Sequence, residues 1–299
     1  MSEMAPMEIF ESVWDRVVNS SWYDGDYISP ESPIIIGGCA RSGTTLMRVM
    51  LDTHPSIYCG PECNIFTPVR IRTTKRMRDL SWIFDVPVPK IRSLLKESRC
   101  LSEFIEKFFN HLCGIHEKNR WGEKTPTNVL HLDYIFRHFP RAKFIHMIRD
   151  GRDVACSLKH FPKRKVVEGR VIPVETNNPL EKCINRWVHD VNVGRQWMGD
   201  PRYIEVKYED LVTNTEEPLR RLFDFLGEPY HEQVLRYYEV EGASRDASKF
   251  PQNVEATKPI YKQAIGRWRN EFTEDDKRMF KRIGGDLLIQ LGYEENEEW

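Results

Sequence analysis

A short apolar run followed by a glycine-rich turn is the feature that most restricts the fold of this chain. Pro33 to Ile36 predicts a buried strand, and a helix is predicted from about Thr44 to Asp52. The turn between them reads Gly37-Gly38-Cys39-Ala40-Arg41-Ser42-Gly43-Thr44-Thr45. A strand, a tight turn and a helix in this order direct backbone N–H groups into a concavity at the helix N-terminus, which favours an anion.

The loop resembles a nucleotide-binding loop but lacks its lysine. Gly38 and Gly43 have the spacing of a Walker A loop, G-x-x-x-x-G-K-[ST], and Thr44 stands at the lysine position. Without that lysine the loop has no cation to clamp the β- and γ-phosphates. Arg41 and the neighbouring hydroxyls suit a single terminal phosphate beside a charged group. A P-loop kinase is therefore the weaker alternative, and a glycine-rich turn without a ligand is the other one.

A second anion site is predicted at the end of another strand. Phe144 to Ile148 reads as a strand that ends in Arg149, and Ser157 lies eight residues further on, in the next helix. Ligands of open α/β sheets bind at the carboxyl ends of strands, where a guanidinium and a hydroxyl suit a phosphate. The alternative is a surface ion-pair cluster at 149–153. Two such sites indicate a nucleotide with phosphates at both ends of its ribose.

Short apolar strands alternate with amphipathic helices along the chain, which indicates an α/β fold with a mainly parallel sheet. A third strand is predicted at Tyr203 to Val206, and a helix from Glu216 to Leu226 that Gly227 ends. Further helices are predicted at 129–139 and 180–198.

The length of 299 residues is expected to form a single domain, residues 1–299. A helical excursion at about 64–118 is expected to cover one edge, on the acceptor side. Two polar stretches, 162–179 and 241–259, lack clear periodicity and are expected to be irregular.

The composition excludes several classes of protein. Lys and Arg number 44 against 45 Asp and Glu, a net charge of −1, which argues against a protein that coats nucleic acid. No apolar stretch approaches the ~20 residues that span a bilayer, and the N-terminus has no signal-peptide core. The seven cysteines form no zinc pattern. Buried reduced thiols in a soluble cytoplasmic protein without a metal are expected, with a Cys59–Cys63 redox pair as the alternative.

The motifs in this order resemble the sulfotransferases that use 3′-phosphoadenylyl sulfate (PAPS), and among them the tyrosylprotein sulfotransferase branch. The resemblance covers most of residues 33–293. Besides the loop and residues 46–55, the segments that carry it are Cys59-Gly60-Pro61-Glu62, Glu123-Lys124-Thr125-Pro126, 139–144, Arg149-Asp150-Gly151-Arg152, Tyr208-Glu209-Asp210-Leu211, Lys258-Pro259-Ile260 and Leu291-Gly292-Tyr293. It implies the sulfotransferase form of the P-loop-containing nucleoside-triphosphate-hydrolase-like fold, a central parallel sheet flanked by helices.

The resemblance also implies how PAPS, as co-substrate, is bound. The residues implied for the 5′-phosphosulfate are Arg41, Ser42, Gly43, Thr44 and Thr45. Arg149 and Ser157 are implied to bind the 3′-phosphate. Tyr208, Lys258 and the loop before Lys258 are implied to enclose the nucleotide. The family places a serine in that loop, for which Ser248 or Ser244 is the candidate.

Three residues are implied in the transfer step. Glu62 is the implied base for the acceptor hydroxyl, while Lys124, after a strand predicted to end at Trp121, and Arg41 neutralise charge on the sulfuryl oxygens. Other branches use histidine, so His54 is the alternative base, although its position is also typical of a helix end. An ordinary glutamate (pKa about 4.3) and a phenol (about 10) are poorly matched. Proton removal is therefore expected to accompany S–O bond formation, in a desolvated pocket.

The acceptor is expected to be a tyrosine or another phenol, with a carbohydrate or small-molecule alcohol as the alternative. Asn64 stands where the tyrosylprotein branch has an arginine. A run of basic residues suits an acidic peptide or polyanionic glycan, or is a solvated helix face: Arg70, Arg72, Lys75, Arg76 and Arg78. A nucleotide-binding module without catalysis is the remaining alternative, and a homodimer is compatible with all of these hypotheses.

Overall fold

The structure, a computed structural model, describes residue 22 and residues 25–67, 73–161, 163–167, 170–174, 177–239, 249, 251–260 and 264–299. Four residues named above lie outside the described residues, namely Arg70, Arg72, Ser244 and Ser248.

A parallel sheet of five strands forms the centre of the fold. In chain order the strands are β1 (Ile34–Gly37), β2 (Ile57–Cys59), β3 (Arg120–Lys124), β4 (Lys143–Ile148), β5 (Lys163–Val167), β6 (Arg170–Val174) and β7 (Tyr203–Lys207). The order across the sheet is β2-β3-β1-β4-β7, and β5 and β6 form a separate antiparallel pair. Ile36 lies opposite Lys124 on one side and Ile145 on the other. The carboxyl ends of β1, β3 and β4 therefore meet at one edge.

Helices follow the strands in the alternating order that the sequence predicts. They are α1 (Thr44–Asp52), α2 (Thr74–Phe84), α3 (Val88–Lys96), α4 (Leu101–Ile115), α5 (Leu132–His138), α6 (Gly151–Lys159), α7 (Leu180–Arg195), α8 (Tyr208–Thr213), α9 (Glu216–Leu226), α10 (Trp268–Glu271) and α11 (Glu274–Gln290). Short 3₁₀ helices occupy Pro126–His131, Glu232–Glu239 and Pro251–Thr257. The helices α2, α3 and α4 lie in the segment predicted to be a helical excursion.

Both faces of the sheet are covered, because successive side chains of a strand point to opposite faces. Ile34 and Ile36 of β1 pack into one apolar cluster with Met47 of α1 and Leu219 of α9. Ile35, between them, packs into another cluster with Phe104 of α4. All three isoleucines are fully buried. This arrangement confirms the predicted α/β class and its central parallel sheet flanked by helices.

Local signals predicted several boundaries correctly. Both α1 and α9 have the predicted bounds. Gly227 ends α9 with a φ of 70°, the left-handed conformation that glycine adopts without a Cβ penalty.

Other boundaries were predicted wrongly. The strand expected to end at Trp121 continues to Lys124, because β3 keeps its pairing with β1 up to that residue. The expected helix at 129–139 is a 3₁₀ helix that begins at Pro126 and then α5. The stretch at 162–179 holds β5 and β6, whose backbone pairing does not depend on the apolar periodicity that the prediction required.

Candidate active site

The glycine-rich loop between β1 and α1 has a backbone that restricts its side chains. Gly38 has a φ of +140°, and a Cβ there would lie 2.4 Å from the carbonyl oxygen of Met147. Gly43 has a φ of +89°, and its Cβ would lie 2.5 Å from the ring of Tyr208. Arg41 also has a positive φ, 75°. The loop therefore passes so close to β4 and α8 that glycine is needed at both positions.

A cavity of about 830 Å³ opens beside this loop. The predicted residues that line it are Arg41, Gly43, Thr44, Thr45, Glu62, Arg149, Ser157 and Tyr208. Residues that line it without having been predicted include Asn64, Phe161, Arg186 and Arg267. The two additional arginines lie in segments without a recognised motif, and their positive charge was the only signal in the sequence.

The two predicted anion sites adjoin each other. Nε of Arg41 donates to Oγ of Ser157 at 2.9 Å, and the Arg41 guanidinium lies 5.1 Å from the centre of the Phe161 ring. A terminal nitrogen of Arg149 donates to the Arg41 carbonyl oxygen at 3.1 Å. The loop after β1 and the residues after β4 thus form one continuous cationic wall.

Arg149 is buried and connects three segments of the site. Its guanidinium donates to the carbonyl oxygen of Ala264, lies 4.6 Å from the centre of the Tyr208 ring and is 4.0 Å from Asp153. The Asp153 carboxylate in turn accepts from the backbone N–H of Gly266 at 2.7 Å. Burial raises the pKa of Asp153. Arg149 therefore holds the loop at residue 264 against the phosphate loop.

A buried hydroxyl in the loop fits an anionic ligand. Ser42 is fully buried, and within the described part of the chain its Oγ has no hydrogen-bond partner. Buried polar atoms are normally paired. The first N–H groups of α1, which begins at Thr44, also have no partner inside their own helix. The loop residues therefore suit the phosphate end of a nucleotide.

Lys124 and Glu62 form an ion pair at the cavity. Nζ of Lys124 lies 2.8 Å from Oε2 of Glu62 and 3.5 Å from Oγ1 of Thr45. The lysine side chain is 2% exposed and the glutamate side chain 40% exposed. The Glu62 carboxylate is thus partly solvated in this structure, whereas the expected base lies in a desolvated pocket.

His54, the alternative base, belongs to the core. Its ring is buried, stacks on Phe223 at 5.1 Å and does not line the cavity. The Ser56 N–H donates to Nδ1, so Nε2 carries the proton and donates to the Pro229 carbonyl oxygen at 2.9 Å. Burial lowers the pKa of His54. With both nitrogens paired, this histidine has the structural role that its position after α1 indicates.

Lys258 and the basic residues of α2 differ from most of the other predicted residues, because they do not line the cavity. The exposed Nζ of Lys258 contacts Glu255 at 2.6 Å, while Pro259 and Ile260 line the cavity. Lys75 and Arg78 are exposed on α2. Arg76 instead turns inward and donates to the Cys63 carbonyl oxygen, next to Glu62. The basic stretch is thus in part a solvated helix face.

The fold and the loop together define a P-loop-like protein whose loop lacks the lysine of nucleoside triphosphatases. A model of the sulfotransferase family matches residues 33–232. The chain is 33% identical over 275 residues to protein-tyrosine sulfotransferase 1 of Homo sapiens, covering 87% of this chain and 69% of that protein. It is 26% identical over 280 residues to protein-tyrosine sulfotransferase A of Caenorhabditis elegans, covering 91% and 70%.

Solved structures share the fold. The sulfotransferase domain of the Synechococcus PCC 7002 olefin synthase superposes with a TM-score of 0.62 at 22% identity, covering 88% of this chain and 98% of that chain. A mouse sulfotransferase complexed with PAP superposes with a TM-score of 0.54 at 16% identity, covering 88% and 86%.

The chain belongs to the sulfotransferase family. It is an enzyme of the PAPS-dependent class, as the resemblance implied. Among the described residues, no group of three or more His, Cys, Asp or Glu side chains is arranged to hold a metal ion. Within the same residues, no helix combines the length and apolarity that crossing a membrane requires.

The expected cytoplasmic location is wrong. The relatives are protein-tyrosine sulfotransferases, which are Golgi enzymes. All seven cysteines are free and buried, as predicted, and burial raises the pKa of the Cys113 thiol to about 12. Buried thiols do not indicate the cellular compartment, because buried structural cysteines are unreactive.

Proposed function

We propose that this enzyme transfers the sulfuryl group of PAPS to the phenolic oxygen of a tyrosine in a protein or peptide, with Glu62 as base. The observation that carries the proposal is the Lys124–Glu62 pair beside the phosphate loop. It puts a carboxylate at the cavity with a cation directly against it, which are the two groups that sulfuryl transfer to a hydroxyl requires. The acceptor class follows the relatives, which are named protein-tyrosine sulfotransferases.

The nucleotide would lie along the cationic wall. Residues 41–45 would hold the 5′-phosphosulfate, where the orphaned Ser42 hydroxyl and the N-terminus of α1 favour an anion. Arg149 and Ser157 would hold the 3′-phosphate, and Tyr208 would lie beside the nucleotide between the two ends. Arg186 and Arg267 also line this cavity, each paired with a carboxylate, Asp190 at 3.5 Å and Glu271 at 2.7 Å.

In the proposed mechanism each carboxylate oxygen of Glu62 has a separate task. Oε2 accepts from Lys124, which fixes the carboxylate, and Oε1 is left to accept the proton of the phenol. The phenolic oxygen forms a bond to sulfur while the bond from sulfur to the 5′-phosphate oxygen breaks. The proton passes to Glu62, and the products are a tyrosine sulfate ester and adenosine 3′,5′-bisphosphate.

Lys124 and Arg41 would stabilise the transition state electrostatically. Lys124 is nearly buried, so its charge is screened less than that of a surface lysine. As Glu62 takes up the proton, its pairing with Lys124 weakens and the ammonium is available to the sulfuryl oxygens. Fixed cations that meet developing negative charge lower a barrier without reorganisation.

The test uses labelled PAPS with four acceptors: a tyrosine peptide, the same peptide with phenylalanine, a simple phenol and a monosaccharide. Transfer to the tyrosine peptide and not to its phenylalanine counterpart is expected. Transfer to the sugar alone would overturn the acceptor assignment. Turnover of ATP in place of PAPS would overturn the reaction class.

Glu62→Gln tests the base, because the amide oxygen can still accept from Lys124. We expect kcat to fall about 10²- to 10⁴-fold, while calorimetry shows nearly unchanged affinity for adenosine 3′,5′-bisphosphate. Glu228→Gln is the matched control, since Glu228 pairs with Arg120 at 3.0 Å outside the cavity. Full activity of Glu62→Gln would overturn its assignment as the base.

A further inference from the structure

We propose that Glu123 is a positioning residue, which fixes the backbone that carries Glu62 relative to the phosphate loop. The inference rests on the proposed role of Glu62. Glu123 lies on β3 directly before Lys124, and its side chain points away from the cavity into the protein. It is 1% exposed, so its charge has a structural cost that its hydrogen bonds must offset.

One carboxylate oxygen of Glu123 holds the segment after Glu62. Oε1 accepts from Sγ of Cys63 at 3.4 Å and from Oγ1 of Thr125 at 2.7 Å. Thr125 in turn accepts from the backbone N–H of Asn64 at 3.0 Å. The two residues that follow Glu62 are therefore both tied to Glu123, one directly and one through Thr125.

The direction of this chain of hydrogen bonds is fixed. A backbone N–H can only donate, so the Thr125 oxygen accepts from Asn64 and its own proton must point to Glu123. Asn64 has a φ of 51°, a left-handed conformation that asparagine adopts more readily than most other residues. The hydrogen bond from its N–H to Thr125 fixes the backbone at the residue two positions after Glu62.

The other carboxylate oxygen reaches the phosphate loop. Nδ2 of Asn128 donates to Oε2 of Glu123 at 2.5 Å and to the carbonyl oxygen of Ile36 at 3.0 Å. Ile36 lies in β1, two residues before Gly38. The Asn128 amide cannot be reversed, since both of its partners, the Ile36 carbonyl oxygen and the Glu123 carboxylate, only accept hydrogen bonds. Glu123 therefore bridges the base segment and the strand that leads into the phosphate loop.

Only a side chain with two acceptor oxygens satisfies this arrangement. A glutamine at position 123 would have to turn its NH₂ group toward either Thr125 or Asn128. Both of these residues already donate a proton to the side chain at position 123, so two donors would face each other. Burial raises the pKa of Glu123, while the hydrogen bonds from Asn128, Thr125 and Cys63 oppose this shift. The three donors thus favour the ionised carboxylate that the geometry needs.

Thr125→Val tests the proposal because it removes the hydroxyl with almost no change in shape. We expect kcat with the tyrosine peptide to fall up to about 100-fold, as a small displacement of a catalytic group does. The affinity for adenosine 3′,5′-bisphosphate should stay within about twofold, and Thr125→Ser should restore kcat. Thr53→Val is the matched control: Thr53 is also buried, and its hydroxyl donates to the Met50 carbonyl oxygen at 2.7 Å away from the cavity.

The outcomes separate this proposal from the proposed function. Wild-type kcat in Thr125→Val, or equal losses in Thr125→Val and Thr53→Val, would overturn the positioning role even if Glu62→Gln is inactive. Loss of nucleotide affinity in parallel with kcat would also overturn it, since that indicates a general structural role. Glu123→Gln provides a second variant and should show the same division between kcat and affinity. Full activity of Glu62→Gln would overturn the proposed function instead.

Discussion

Nε of Arg41 donates to Oγ of Ser157 at 2.9 Å, so two residues 116 positions apart in the chain are in direct contact. Arg41 lies in the loop after β1, and Ser157 lies on α6, which follows β4. Because β1 and β4 are neighbours in the sheet, the ends of both strands lie at the same edge. The residues expected to hold the two ends of the nucleotide thus form one surface.

The Arg41–Ser157 contact predicts non-additive effects on nucleotide binding. Arg41→Ala should weaken binding of adenosine 3′,5′-bisphosphate roughly 10- to 100-fold, since hydrogen bonds to a charged group contribute about 1.5–3 kcal/mol. Ser157→Ala should weaken it about fivefold. The double variant should lose less than the product of the two, because contacting residues couple. Calorimetry of the four proteins measures the coupling, and strict additivity would contradict it.

Arg149 should be sensitive to which phosphate the ligand carries. Arg149→Ala should weaken binding of adenosine 3′,5′-bisphosphate at least about tenfold, and binding of adenosine 5′-monophosphate much less. Arg149→Lys should recover only part of the loss, because lysine lacks the planar fork that reaches the Arg41 and Ala264 carbonyl oxygens. Equal losses for both nucleotides would argue against a 3′-phosphate site there.

Gly43→Ala should damage the phosphate loop. Its φ of +89° and the Tyr208 ring 2.5 Å from a Cβ both oppose a side chain. The free energy of unfolding should fall by about 1–3 kcal/mol, with weaker nucleotide binding. Gly285→Ala is the control in helix α11, where a Cβ would meet only the Lys281 Cβ at 4.0 Å. Denaturant titration should show that variant to be as stable as the wild type or slightly more stable.

Because of His146, the free energy of unfolding should fall as the pH is lowered. The Tyr203 hydroxyl donates to Glu205 at 3.1 Å, so Nδ1–H of His146 donates to the Tyr203 oxygen, at 2.5 Å. Burial lowers the pKa of His146 to about 3. The unfolded chain has a histidine pKa of about 6.5 and so binds a proton that the folded chain excludes as pH falls from about 6.5 toward 3. Between pH 7 and 5 this costs about 2 kcal/mol of stability.

The variant His146→Gln isolates that contribution. It should be less stable than the wild type at pH 7, because the buried imidazole packs against Gly194 and Tyr203. Its free energy of unfolding should nevertheless depend less on pH between 7 and 5. Parallel pH profiles for the two proteins, measured by urea unfolding, would contradict the prediction.

Much of the fold followed from local signals. The bounds of α1 and α9 were predicted because helical periodicity and a left-handed glycine act within a few residues. The hairpin of β5 and β6 was missed, although the two residues between its strands are a spacing typical of hairpins. The short strand β2 was also missed, because three residues are too few to show a period.

The sequence also named eight of the residues that line the cavity, through the family resemblance of its motifs. It did not predict that Lys124 pairs with Glu62, and it kept His54 as an alternative base although the position of this residue also indicated a structural role. Nor did it indicate that Glu123 connects Cys63 with Asn128.

By itself the sequence determined the loop after β1 and the order of motifs that marks the family, because steric limits at glycine and helical periodicity act between near neighbours in the chain. Only the tertiary structure decided which of these residues touch. Glu62 and Lys124 lie in loop and strand segments 62 residues apart, and they meet because β2, β3 and β1 pair side by side in a fixed register. Hydrogen bonding between strands, which local patterns do not encode, sets that register.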